Sequence, residues 1–235
     1  SISSASVSGT TAVGGFAGLT SGTASFTSSL ADGTVDGQNN VGGYVGQAAG
    51  DLSASDSTSS AMVSGDTAVG GFAGLTSGTA SFTNALADGI VDGIANVGGY
   101  VGQAAGDLSA FNSISSASVS GTTAVGGFAG LTSGTASFTS SLADGTVDGQ
   151  NNVGGYVGQA AGDLSASDST SSAMVSGDTA VGGFAGLTSG TASFTNALAD
   201  GIVDGIANVG GYVGQAAGDL SVSDSTSSAT VSGDT

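Results

Sequence analysis

The hexapeptide Val13-Gly14-Gly15-Phe16-Ala17-Gly18 returns as Val41-Gly-Gly-Tyr-Val-Gly46, and again as Val69-Gly-Gly-Phe-Ala-Gly74. Its leading valine stands at positions 13, 41, 69, 97, 125, 153, 181 and 209, a constant interval of 28 residues. A fixed interval of this length is the mark of a repeat architecture, in which one small unit is laid on the next. The period therefore decides the fold before any local propensity is consulted.

Aligning the units with the recurring valine as column one separates scaffold from decoration. Glycine fills columns two, three, six and ten in every unit, and column thirteen is always serine. Column four is always aromatic, as in Phe16, Tyr44, Phe72 and Tyr100. Column twenty-three is always valine, as in Val35, Val63, Val91 and Val119, with glycine two places later. Residues 1–12 end on the same signature, Val7 and Gly9, and so belong to a preceding unit. Phe-type and Tyr-type units alternate. Where the first carries Ala24 and Phe26 in columns twelve and fourteen, the second carries Leu52 and Ala54. A small–large pair thus faces a large–small pair, as close-packed interior layers require. At a longer range, residues 1–112 and 113–224 differ only where Ala110, Phe111 and Asn112 become Val222, Ser223 and Asp224, a near-identity expected of a long tandem array.

Stretches such as Ala24-Ser25-Phe26-Thr27 and Leu52-Ser53-Ala54-Ser55 alternate with period two, the pattern of a strand. They are bounded by Gly, Asn and Asp, which supply turns. The reading is three short strands per unit, over columns 1–6, 11–16 and 21–25. So short a unit cannot bury its own apolar side chains; each must lie on the next, with backbone groups pairing along the stack. The expected fold is an all-β, single-stranded parallel β-solenoid of about eight turns, one continuous array over 1–235 with turns beginning at the eight valines. Turns would sit about 4.8 Å apart. Val13, Val41, Val69 and Val97, Phe16, Tyr44, Phe72 and Tyr100, and Val35, Val63, Val91 and Val119 are then expected to form interior ladders. The glycines are expected to give sharp corners and positive φ.

Composition bounds the function. The chain has no Lys, Arg or His and 18 acidic residues, all Asp, for a net charge of −18. That excludes nucleic acid, whose phosphates need cationic partners, and anionic membrane surfaces. No apolar run of about 20 residues is present to cross a bilayer, so membrane insertion is not expected. With no cysteine, redox compartment is unconstrained. Glycine and serine abound, yet valine and aromatic residues kept in register speak against a disordered linker. The chain begins without Met and stops inside a repeat, as a mature segment or a slice of something longer would. Neither end looks like a polar cap, so the array is expected to continue or to dock end to end, since bare strand edges invite pairing.

The run Asn40 to Gly65, NVGGYVGQAAGDLSASDSTSSAMVSG, resembles the GLUG repeat of bacterial surface proteins in its Val-Gly-Gly opening, Ser-rich middle and Val-Ser-Gly close. The resemblance extends over essentially the whole chain. It departs at column four, commonly Leu in that family and Phe or Tyr here. It implies an extracellular or surface-anchored, adhesin-like bacterial protein in which such repeats serve as stalks and interaction surfaces. It carries over no catalytic residue.

The carboxylates are the remaining place for chemistry. Phe-type units hold them in columns twenty and twenty-four, as Asp32, Asp36, Asp88 and Asp92; Tyr-type units use columns eleven, sixteen and twenty-six. No column is acidic in consecutive turns. A solvated acidic face is the plain reading. Calcium, which takes hard oxygen ligands, is the alternative, with those four aspartates as its candidate ligands, though without EF-hand spacing. No other cofactor is expected. Catalysis by a carboxylate pair is not expected, because Asp32 and Asp36 recur in every Phe-type unit, whereas an active site should depart from the pattern. An ice-binding threonine array (Thr20, Thr23, Thr27) is broken in every second turn by Ala48, Asp51 and Ser55. The expected function is a structural module of an extracellular fibre or adhesin stalk, partnering itself end to end or laterally. The alternative is a binding module for glycans or a host or cell surface, calcium-dependent if the aspartates bind metal.

Overall fold

The computed structural model describes residues 1–233 and contains no helix among them. The strands assemble into five sheets that run the length of a rod, and every pairing is parallel with a register offset of 28 residues, as in Val63↔Val91 and Leu52↔Ala80. The chain is a β-solenoid of about eight turns.

Each turn carries five strands rather than the three read from sequence. In the third turn they are Thr67–Gly70, Ala73–Thr76, Ala80–Thr83, Leu86–Ala87 and Ile90–Asp92. The run expected as one strand over columns 1–6 breaks at Gly71-Phe72, where the chain turns a corner and the ring points inward. Leu86–Ala87 is only two residues long, too short for alternation to announce it.

The corners also differ from expectation. No glycine has a positive φ. The left-handed residues are those just before the recurring valine, such as Ala68 and Asn96 (both φ 54), and those of column sixteen, such as Ser140 (φ 51) and Asn84 (φ 50). Position 68 is skipped by the ladder, which pairs Thr67, Val69 and Gly70 with their partners; a single-residue kink is thus stacked identically in every turn. Glycine is needed for close approach instead. A Cβ on Gly70 would come 2.7 Å from Gly102 N and from Tyr100 O, backbone that cannot move aside. One on Gly37 would lie 2.9 Å from both Val13 Cγ2 and Val41 Cγ2. The glycines let consecutive turns and the interior valines touch.

The interior is a set of continuous columns. Val41 to Val181 in column one and Val35 to Val203 in column twenty-three are buried. The column-four rings stack, Tyr44–Phe72 with centroids 4.7 Å apart and an interplanar angle of 21°, Tyr100–Phe128 at 4.7 Å and 18°. A second ring enters from each Phe-type turn: Phe82 meets Tyr100 edge-on at 4.9 Å and 79°. Offset stacking and edge contacts are the favoured arrangements of aromatic quadrupoles. The layer complementarity is literal, for Leu52 pairs with Ala80, and Ala54 with Phe82.

Tyrosine adds what phenylalanine cannot. Tyr100 Oη lies 2.6 Å from the Ala85 carbonyl and 2.8 Å from the Ile114 carbonyl, so its single proton is donated into a pair of acceptors on two successive turns. Burial pushes the Tyr44 hydroxyl up to about 12, against a smaller downward pull from Ser57 and the Thr58 backbone. Tyr100 and Tyr156 are raised further, again chiefly because a phenolate there would lose its water. Polar side chains inside are otherwise hydroxyls: Ser59 Oγ donates to Gly71 O at 2.5 Å, while Thr76, Thr132 and Thr188, the counterparts of Thr20, are fully buried with no partner for Oγ1.

Candidate functional site

Inward and outward positions alternate along a regular strand, so burying Val91 sends its neighbours Ile90 and Asp92 outward. The strand that carries column twenty-three therefore builds an outer face from columns twenty-two and twenty-four, flanked by columns twenty and twenty-six. On it carboxylates such as Asp36 and Asp92 meet large exposed apolar side chains such as Met62 and Ile90.

Two aspartate ladders run along it, each interleaved with serine. In column twenty-four Ser64 Oγ donates to Asp36 Oδ1 at 2.7 Å, and Ser120 to Asp92 at 2.6 Å. In column twenty serine is again the donor but the bond points the other way along the rod, Ser60 Oγ donating to Asp88 Oδ1 of the following turn at 2.5 Å. The hydroxyl between successive carboxylates does two things. It supplies a hydrogen bond, and it holds like charges two turns, about 9.6 Å, apart, near the screening length in physiological salt. The candidate calcium ligands fall on these ladders: Asp36 and Asp92 share column twenty-four with Ser64 between them, and Asp32 and Asp88 share column twenty with Ser60 between them. Among the described residues no three carboxylates gather into a group that would hold a metal. Asp66 and Asp178, in column twenty-six, flank the same face, whereas Asp51 accepts from the Thr79 backbone N–H at 2.9 Å and Asp56 from the Asn84 amide at 3.0 Å elsewhere on the rod.

Sequence reading gave no role to Met62, Ile90 and Ile94, which the structure exposes on this face, nor to their copies Met174, Ile202 and Ile206. The signal was present: with column twenty-three inside, column twenty-two must face out. Met62 and Ile90 are in register on adjacent turns, and Ile90, Asp92 and Ile94 lie across one turn. A hollow of about 190 Å³ opens between Thr34, Met62, Ser64, Ile90 and Asp92, and its counterpart of about 150 Å³ lies beside Met174 and Ile202. Further along, a groove of about 390 Å³ runs over Gly149, Gly177 and Gly205, walled by Asp148, Asp204 and Asp178.

One more outward departure stands apart. Phe111 occupies a column that holds Thr83 and Thr139 in the neighbouring turns, and its ring is half exposed. Ile114, in the same turn, is stacked between Leu86 and Leu142.

Compared with the known protein families, the curated proteins and the solved structures, the chain matches none.

Proposed function

We propose that the chain is a structural repeat module of an extracellular bacterial fibre or adhesin stalk. The observation that carries this reading is the continuity of the interior: the valine and aromatic columns pass through every complete turn without a break, so length is set by turn number alone. The likeness to GLUG repeats supports a secreted or surface-anchored setting, and the net charge of −18 suits a rod that must stay apart from its neighbours in water. Each turn pairs its backbone with the turns on either side, so the outer turns of any such array present unpaired strand edges. Those edges favour further turns or a second copy, so self-association runs through the β-edges. Electron microscopy of tandem fusions tests this. Each added 112-residue block should lengthen the particle by about 19 Å, four turns of about 4.8 Å; particles that widen or round up instead would end the stalk reading.

A second reading, a glycan-binding adhesin module, is favoured by Phe111 alone. An exposed ring among serine and threonine hydroxyls offers stacking and hydrogen bonds to a sugar. Replacing Phe111 with serine, the residue at Ser223 in the second half, should abolish binding on a glycan array if this reading holds. Calcium dependence, if present, would reside on the Asp32, Asp36, Asp88 and Asp92 ladders and would show as loss of that binding in chelator.

A further inference from the structure

We infer that the face formed by columns twenty-two to twenty-six docks a cationic, partly apolar polypeptide segment laid along the rod, one segment in each half of the chain. This face carries side chains that the fold does not need. Column twenty-two accepts Thr34 and Ser118, and column twenty-six accepts Gln38 and Thr122, in the same backbone environment that elsewhere holds Met62, Ile90 and Ile94. Packing therefore does not select the apolar residues. Yet Met62 and Ile94 are each 54% exposed, and the same trio recurs as Met174, Ile202 and Ile206. Away from the end turns, the other large apolar side chains exposed among the described residues are Phe111 and Ile114. Exposed apolar residues gathered on one face rather than scattered mark a contact surface.

Charge then identifies the occupant. Asp92 stands between Ile90 and Ile94, Asp66 is one turn below Ile94 in its column, and the Asp88 ladder borders the patch. The chain has no cationic side chain anywhere. A second copy would bring apolar surface together only by pressing carboxylate against carboxylate, which costs more than it returns. A segment bearing Lys or Arg satisfies both parts of the face, with carboxylates taking the charge and the hollow beside Met62 and Ile90 receiving an aliphatic side chain or the stem of a lysine. The column-twenty-four aspartates repeat about every 9.6 Å, and an extended segment rises about 3.3 Å per residue. Basic residues at every third position keep step with them. The two patches lie four turns, about 19 Å, apart, so a long segment could engage both with gain in avidity. The inference does not depend on the stalk reading, since the face is complete within four turns.

The test is fluorescence anisotropy of the intact chain with a labelled synthetic peptide carrying Lys at every third position and Leu between. At about 20 mM NaCl two peptides should bind per chain, and about 200 mM NaCl should weaken binding at least about tenfold as the ion atmosphere screens the contact. A peptide with Ser in place of Leu should bind several-fold more weakly. The triple variant Met62→Thr, Ile90→Ser, Ile94→Thr uses residues those columns already hold, so its melt should be unchanged while the stoichiometry falls from two to one. Binding of two peptides to the triple variant, equal binding of the Ser peptide, or no binding at low salt would each overturn the inference. The first two results would show only diffuse attraction to a negative rod.

Discussion

Met62 and Val63 are consecutive residues of one three-residue strand, and they obey different rules. Val63 is 1% exposed, and its column is valine in every turn; Met62 is exposed, and its column passes through Thr34, Met62, Ile90 and Ser118 in successive turns. The same backbone hydrogen bonds hold both. The inner side must match the turns above and below in volume, because close-packed interiors tolerate neither void nor overlap. The outer side answers only to solvent and partners. In this strand constancy along the rod reports packing, and variation without loss of register reports freedom that function can use.

The sharpest way to break this comparison is to place one charge on each side. Val63→Asp buries an uncompensated carboxylate and should lower stability by at least about 3 kcal/mol. Met62→Asp should cost less than about 1 kcal/mol in physiological salt, the usual scale of a surface change. Urea denaturation of both variants decides it; equal losses would mean that the inward assignment is wrong. Alkali probes the inside by another route. The tyrosine hydroxyls have folded pKa values raised above the ordinary value near 10, so the stability this burial confers is complete below pH 10 and is lost as pH rises beyond it, when the unfolded chain ionises and the folded one does not. The urea midpoint should be level between about pH 7 and 9.5 and fall steeply above 10, and Tyr100→Phe with Tyr156→Phe should make that fall shallower. A rod whose tyrosines titrate near pH 10 by ultraviolet absorbance while still folded would contradict the buried ladder.

Smaller effects sharpen the same contrast. Ala80→Leu sets leucine against Leu52 and Leu108 in register and should cost about 1–3 kcal/mol by overpacking, although leucine is the resident of that column one turn away. Thr76→Val keeps the shape and removes a buried hydroxyl without a partner, so it should raise stability by about 1 kcal/mol in a chemical melt. Ser140→Gly relieves a left-handed residue at φ 51 on the exterior, a gain of about 0.5 kcal/mol once the greater freedom of the unfolded glycine is subtracted. A loss at position 140 would mean that the serine hydroxyl does more than occupy the corner.

The solenoid was legible because its evidence is arithmetic: a 28-residue interval in sequence becomes the same offset in every strand pair. The alternation of Ala24-Phe26 with Leu52-Ala54 likewise announced layers that fit. The number of strands was harder to read. The corner at Gly71-Phe72 sits inside an unbroken apolar pattern, and a two-residue strand such as Leu86–Ala87 has no period to detect. The glycines misled for a physical reason. Glycine permits both positive φ and close approach, and sequence does not say which is used; here alanine, asparagine, aspartate and serine take the left-handed corners, and glycine takes the contacts between turns. The acidic ladders were visible as columns, but that Ser64 and Ser60 would hydrogen-bond to aspartates in opposite directions along the rod was not. The Met62, Ile90 and Ile94 patch could have been found by following the outward parity from Val63 and Val91.

The central claim is that residues 28 apart in sequence are one β-spacing apart along the rod, and it can be measured directly. The chain has no cysteine, so cysteines introduced at exposed Thr34, Thr146 and Thr230, all in column twenty-two, can be spin-labelled in pairs. Electron-electron distance measurements should give about 19 Å for 34–146 and about 34 Å for 34–230, in proportion to four and seven turns of about 4.8 Å. Distances that fail to grow with turn number, or a 34–230 separation no longer than 34–146, would contradict the account.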